Sequence, residues 1–413
     1  MTPEIKQRIE QIRRGEVPER YVKTALGLAP TDWKRYTLRD IYTERKEPGD
    51  EKLPLLMVSI HSGVSDGEVD AAELPKQVKR IEDKSQYKKA VSGDLVFNMM
   101  RAWQGAIGAV RTTGMVSPAY IVAEPNDKAY PLFMDYYSRT PQMINQIDRQ
   151  SYGVTDFRKR LYWDSFAPIS CILPPIAEQR KIAAILTTQD KVIKLKEKRL
   201  AEKQRQKKYL MQQLLTGKKR LPGFNGAWKT DCLGKLFFER KETNCENIEM
   251  LAITGTQGII PRKELDLKDN SSEDKSKYLR VCVGDIGYNT MRMWQGVSAY
   301  SNYEGIVSPA YTILKPSSSI NAKYFAYLFK MSEIVFLFYR FSQGLVDDTR
   351  NLKYENFKKI KVCYPPDMKE QTAIAEVLSA ADREIELLQQ DIEQEKRKKK
   401  ALMQLLLTGI VRV

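Results

Sequence analysis

Two stretches of the chain place apolar residues at alternating spacings of four and three, with no glycine or proline inside them. That pattern makes a long helix with one continuous seam. The first covers residues 178–215 and puts Ile182, Leu186, Gln189, Ile193, Lys196, Leu200, Lys203, Lys207, Leu210 and Leu214 on the seam. The second covers 370–407 and puts Ile374, Leu378, Ala381, Ile385, Leu388, Ile392, Glu395, Lys399, Leu402 and Leu406 there. A Pro-Pro pair precedes each, and a Thr-Gly pair follows it, Gly217 and Gly409 fitting a glycine C-cap. Elsewhere the pattern is shorter. Strand-type runs at 55–60, 94–98 and 119–122 sit between Gly, Pro, Ser and Asp, and helical periodicity returns at 130–147 and 322–341. Mixed α/β domains follow, in a strand order the pattern does not give.

The plan occurs twice. M-R-x-W-Q-G stands at 100–105 and 291–296, and V-S-P-A-Y at 116–120 and 307–311, both at a spacing of 191. The same spacing joins Gly93-Asp94 to Gly284-Asp285, Gly153 to Gly344 and Asp156 to Asp347. After one inserted residue a spacing of 192 carries Glu178-Gln179 onto Glu370-Gln371. Independent coincidences would not share a register. The expected fold class is therefore α/β (α+β): two similar mixed α/β domains at 32–173 and 223–364, separated by long helices at 174–222 and 365–413, with a pseudo-twofold internal repeat. Residues 1–31 have no full counterpart and are expected to add a helical segment that closes the repeat.

Charge suggests how the helices pair. In a parallel arrangement in repeat register Lys207 would face Lys399 in a buried layer. In an antiparallel coiled coil, with Ile182 near Leu406 and Leu214 near Ile374, those lysines face Gln189 and Ala381 and can extend to solvent. The antiparallel arrangement is expected, with a rod of about 57 Å, one to two turns of DNA.

At 413 residues the chain exceeds the usual limit of one core. Its 68 Lys and Arg against 52 Asp and Glu, a net charge of +16, suit a polyanion partner or simply a basic soluble protein. Five isolated cysteines, with no C-x-x-C and no leader ahead of them, predict a cytoplasmic protein without a disulfide framework. No run of 18 apolar residues predicts a membrane span. His61 is the only histidine, which argues against a His-His zinc site and a Ser-His-Asp triad. There is no G-x-x-x-x-G-K-S/T loop and no N/D-P-P-aromatic loop for adenine methylation. Glu44-Arg45-Lys46 and Glu239-Arg240-Lys241 imitate the D/E-x-K of metal nucleases without a convincing acidic partner upstream.

Candidate contacts fall in loops. Arg101 and Gln104, with Arg292 and Gln295, offer groups suited to guanine, adenine or phosphate, beside Trp103 and Trp294. Being identical in both halves, these residues suit scaffolding or phosphate contact better than the reading of different bases. Discrimination is expected where the halves differ: His61 and Ser62 against Thr256 and Gln257, and Arg158, Lys159 and Arg160 against Thr349, Arg350 and Asn351. Solvated loops without contacts are the alternative. The basic run at 194–208 reads either as a solvated helix face or as a surface along DNA. Two similar readers about a twofold axis would match the local dyad of a duplex and a split site.

The whole chain resembles the specificity subunits of type I restriction-modification systems, through P-P-I-A-E-Q-R-K-I-A-A-I-L at 174–186 and L-M-Q-x-L-L-T-G ending at Gly217 and Gly409. The resemblance implies a non-catalytic chain that binds double-stranded DNA and needs no cofactor itself. It also implies two methylation subunits with S-adenosylmethionine and adenine-N6 chemistry, and restriction subunits with ATP and Mg. A stand-alone DNA-binding regulator or architectural protein, and a coiled-coil assembly protein, are the rival expectations.

Overall fold

The computed structural model describes residues 3–50, 52–60, 63–65, 67, 86–155, 158–245, 248–255, 258–265 and 274–413. Contacts divide the chain into two units, Met1–Leu195 with Ile392–Val413, and Lys196–Asp391. The long helices run Ile176–Leu214 and Met368–Leu406, so each unit holds the first half of one and the second half of the other.

The first unit is built on a four-stranded antiparallel sheet in the order Tyr42–Arg45, Tyr120–Pro125, Leu95–Asn98, Ile107–Ala109. In register, Val122 pairs with Val96 and Arg45. Side chains alternate across a strand. Leu95, Phe97, Ile107 and Ile121 therefore join the helices and Phe133, Ile147 and Phe166 in the main core, while Val96 and Val122 join Leu56, Val58, Val64 and Val116 on the other face. Both faces are covered, which is why Leu95-Val96-Phe97 reads as an unbroken apolar run. The second unit repeats the order with Phe237–Arg240, Tyr311–Pro316, Ile286–Asn289 and Ser298–Tyr300. Its cores are again two, one around Phe237, Tyr288, Phe325 and Phe357 and one around Leu251, Ile253 and Ile313.

The middle arginine of each E-R-K-E run lies across the sheet edge. Arg45 grips Asp94 at 2.8 and 3.3 Å, and Arg240 grips Asp285 at 2.7 and 3.0 Å. Burial pushes the Asp94 carboxyl above its ordinary range, and Arg45 offsets this only in part. These runs thus contribute to sheet construction.

Each stretch of helical periodicity expected between strand and rod is two helices rather than one. Pro131–Tyr137 ends before Pro141–Gln150, where Thr140 caps the second helix by accepting from the Met143 N–H and Pro141 occupies its first turn. In the second unit Ala322–Leu328 is followed by Ser332–Phe341. The strand-type run at 55–60 supplies only Val58–Ser59, paired with Gly63–Val64.

In both units the long helices lie antiparallel. In the first, Ile182, Ala183 and Leu186 share a core with Leu402, Leu406 and Leu407, and the Gln189 amide donates to the Glu395 carboxylate at 2.6 Å. In the second, Leu210 and Leu214 pack with Ile374 and Leu378. Ile193 is buried, whereas Leu200, Ile385 and Leu388 are half-buried. The seam lysines find acids one position beyond the residues the pattern placed opposite them. Lys399 Nζ lies 2.6 Å from Asp190, which also accepts from the Tyr136 hydroxyl at 2.6 Å. Lys207 pairs with Asp382, which accepts from the Tyr327 hydroxyl at 2.7 Å. Much of the basic run at 194–208 is occupied in the same way, Lys196 with Asp391 and Lys203 with Glu384, each at 2.8 Å.

Residues 1–31 form a helix, Pro3–Arg13, and then a hairpin, Tyr21–Thr24 with Gly27–Pro30. The Tyr21 hydroxyl donates to the Gly409 carbonyl at 2.6 Å. Arg412 forks onto Glu178 and Asp32 at 2.6 to 2.9 Å, as Arg220 forks onto Glu370 at 2.6 and 2.7 Å in the other unit. Gly217 and Gly409 both have φ +72°, the left-handed conformation a helix C-cap requires.

Candidate nucleic-acid interface

The M-R-x-W-Q-G motif folds as a short 3₁₀ turn, Ala102–Gln104 in the first unit and Met293–Gln295 in the second. Asn98 and Asn289 set it up, each side-chain oxygen accepting from the backbone N–H two residues on, Met100 and Met291, at 2.9 and 3.0 Å. Gly105 and Gly296 close it with φ of +103° and +79°, conformations that favour glycine. Inside the turn the tryptophan indole folds back: Trp103 Nε1 donates to the Met100 carbonyl at 3.0 Å, and Trp294 Nε1 to Met291 at 2.9 Å. The tryptophans thus brace the turns they sit in. Arg101 and Gln104, and Arg292 and Gln295, stand exposed around them.

The second candidate region comes against the same turn. The Leu161 N–H donates to the Met99 carbonyl at 2.9 Å, and the Leu352 N–H to Thr290 at 2.8 Å. These bonds bring the segments at 152–161 and 343–352 beside the two turns, so two groups of residues far apart in sequence form one surface in each unit.

Within these segments the repeat mates Lys159 and Arg350 do the same work. Lys159 lies 4.9 Å from the Trp103 ring centroid and holds Asp148 at 2.8 Å. Arg350 stacks 4.1 Å from the Tyr339 centroid and 5.8 Å from that of Trp294, with Asp347 3.4 Å away. Cation–π contact of this kind fixes a loop on an aromatic platform. With side-chain exposures of 24% and 14% the pair is turned toward the protein. Arg160 and Asn351 are half-buried and donate to the Lys159 and Thr349 carbonyls respectively. Arg158 and its mate Thr349 remain exposed. Asp148 and Tyr339, which complete the clamp, carried no signal in the motifs. His61, Ser62, Thr256 and Gln257 lie outside the described residues. Among the described residues no helix is long and apolar enough to cross a membrane.

Fold and site together define a class: a duplicated α/β domain, each copy presenting a tryptophan-braced turn and loop and carried on an antiparallel helix pair. The family model for the type I restriction modification DNA specificity domain matches residues 234–396. The putative type I restriction enzyme MjaX specificity subunit of Methanocaldococcus jannaschii is 24% identical over 442 residues, covering 96% of this chain and 97% of that protein. In fold, the chain resembles the type I restriction-modification S subunit from M. genitalium, with a TM-score of 0.57 at 12% identity over 91% of this chain and 96% of that one. It also resembles a chain solved in a study of complex assembly and conformational transition of the type I R-M system, with a TM-score of 0.53 at 17% identity over 93% and 99%. The chain is thus similar along its length to a type I restriction enzyme specificity subunit, and its residues 234–396 match the DNA specificity domain of type I restriction-modification systems.

Proposed function

We propose that this subunit reads a bipartite DNA site, one half per unit, through the turn-and-loop surface, and that its helices hold the methylation and restriction subunits. The observation that carries this reading is the repetition of one braced surface with different outward residues: Arg158 in one unit stands where Thr349 stands in the other. Shared Arg101 and Arg292 would hold phosphates and so orient each unit without specifying a base, while the differing loop residues would face base edges. The half-sites would be separated by a gap that the paired helices set. Double-stranded DNA, two methylation subunits with S-adenosylmethionine, and restriction subunits with ATP and Mg complete the assembly, and this chain contributes recognition without catalysis.

Mapping N6-methylated adenines in the source genome tests the reading. A motif split by a fixed gap, with one modified adenine per half, is expected. A continuous motif, or a lone chain that binds DNA and purifies with no S-adenosylmethionine-binding partner, would exclude it in favour of a stand-alone regulator.

A further inference from the structure

The tips of the two loops point apolar side chains into solvent. Leu345 is 99% exposed and Val346 58%, and Val154, the repeat mate of Leu345, is 90% exposed. An isolated exposed aliphatic residue needs no explanation. Here, however, the same position is aliphatic in both copies, at the end of a loop with little freedom to tuck it away.

The second loop is closed at its base by reciprocal bonds, Gln343 N–H to the Asn351 carbonyl at 2.8 Å and Asn351 N–H to the Gln343 carbonyl at 2.7 Å, and inside the tip by the Thr349 N–H to the Val346 carbonyl at 3.0 Å. Gly344, at φ +128°, comes so close to the returning strand that a Cβ would sit 2.6 Å from the Thr349 carbonyl oxygen. In the first loop Tyr152 and Arg160 exchange the corresponding bonds at 3.1 and 3.0 Å, and a Cβ on Gly153 would sit 2.4 Å from the Arg158 carbonyl oxygen. The Lys159 and Arg350 clamps hold both loops on their tryptophan turns.

Resting on the reading above, we propose that Leu345, with Val154 as its counterpart, is a wedge that enters the base stack of the half-site its unit reads and opens one step. The charges of the second loop favour this over a backbone contact. Asp347 and Asp348 are exposed beside Leu345, and carboxylates are repelled by phosphate. A tip of this composition placed on a duplex has favourable contact only with bases: its aliphatic side chains against their faces, and its carboxylates against a cytosine amino group. Rigidity suits the task, since a braced tip loses little conformational freedom on insertion.

The test uses the full chain in complex with its methylation subunits, and duplexes bearing the mapped methylation motif with 2-aminopurine substituted in turn at each position of a half-site. Stacking quenches this base, so, apart from the methylated adenine, which the methylation subunits themselves would take out of the stack, binding is expected to raise its fluorescence at one step per half-site. Leu345→Ser should abolish the rise only in the half-site of the second unit, and Val154→Ser only in the other. Each change should weaken binding about tenfold or more. Because no charge is altered, the slope of log affinity against log salt should stay as in the unsubstituted complex, and Leu345→Met should restore most of the signal. Tight binding with no rise at any position other than the methylated adenine overturns the wedge, as does a rise at such a position that Leu345→Ser leaves unaffected. Loss of affinity without any rise would place the tip against base edges in an intact stack, which also overturns it. Failure of the unsubstituted complex to bind the duplex would instead remove the underlying reading of the surface.

Discussion

Replacing Asp382 with alanine tests whether the long helices pair antiparallel as the second unit shows. Asp382 accepts from the Tyr327 hydroxyl at 2.7 Å and meets Lys207 across the helix pair. A hydrogen bond to a charged acceptor is worth about 1.5–3 kcal/mol. Ser379, 3.2 Å from the same hydroxyl, can take over part of that bond, so the lower half of the range applies. Lys207 and Asp382 side chains are 24% and 41% exposed, and water screening limits such a pair to about 1 kcal/mol at most. The sum is roughly 2 kcal/mol, a fall in melting temperature of about 4–8 °C for a unit of this size. Asp190→Ala should do the same in the first unit, where Tyr136 and Lys399 take the corresponding places. The decisive measurement is a double-mutant cycle with Lys207→Met, read by calorimetry, which should give a coupling of about 0.5–1 kcal/mol between Lys207 and Asp382. In a parallel arrangement Lys207 would oppose Lys399, and Lys207→Met would relieve repulsion. Higher stability in that single variant, with no coupling to Asp382, would refute the arrangement.

Arg101→Ala and Arg292→Ala should each lower the slope of log affinity against log salt by about one while leaving the methylated motif unchanged; a changed motif would make these arginines base readers. Arg158→Ala should alter the motif in one half-site only, and an unchanged motif and affinity would remove it from the interface. Gly409→Ala should cost about 1–2 kcal/mol or more in thermal unfolding, because φ is +72° and the added methyl would lie 2.6 Å from Pro30 Cδ; an unchanged melting temperature would show that this end of the helix is not held against the hairpin. Burial pushes the Cys171 thiol up to about 12. At pH 8 to 9 it stays protonated and shielded, so iodoacetamide should label exposed Cys363 in the native protein and reach Cys171 only after unfolding. Native labelling of Cys171 would contradict the core.

The rods were legible because nothing interrupts their periodicity, and the two boundaries differ from the observed ends by only one or two residues. Their charge partners were not. Asp190 and Asp382 sit one residue beyond the seam positions Gln189 and Ala381, so a list of seam residues passes over the groups that Lys399 and Lys207 meet. The basic run at 194–208 looked like a free surface because the acids it meets lie on the other long helix, far along the chain at 382–391, a distance at which composition carries no pairing information. The site divided similarly. Exposed loop cations could be chosen from the differences between halves, but the one-surface arrangement depends on Leu161 bonding Met99 and Leu352 bonding Thr290. Lys159 and Arg350 occupy the same repeat position and are both cations, each in a copy with a tryptophan turn. That agreement was the available sign that they brace the loop.

A duplicated helix faces a hazard that the charges of this chain resolve. Identical copies could pair with themselves in neighbouring molecules as readily as with each other. The pairs Lys207–Asp382 and Asp190–Lys399 do not discriminate, since either helix carries both members. The other contacts do. Lys196 meets Asp391, whose repeat mate on the first helix is Arg199, so two first helices paired in this register would set Lys196 against Arg199. Lys203 meets Glu384, and the mate of Lys203 on the second helix is Glu395, so two second helices would set Glu384 against Glu395. Like charges at such positions disfavour both alternatives while the mixed pair gains two ion pairs. The middle of the first helix has become basic and that of the second acidic, and this divergence between the copies favours pairing of the first long helix with the second over pairing of either with its own kind.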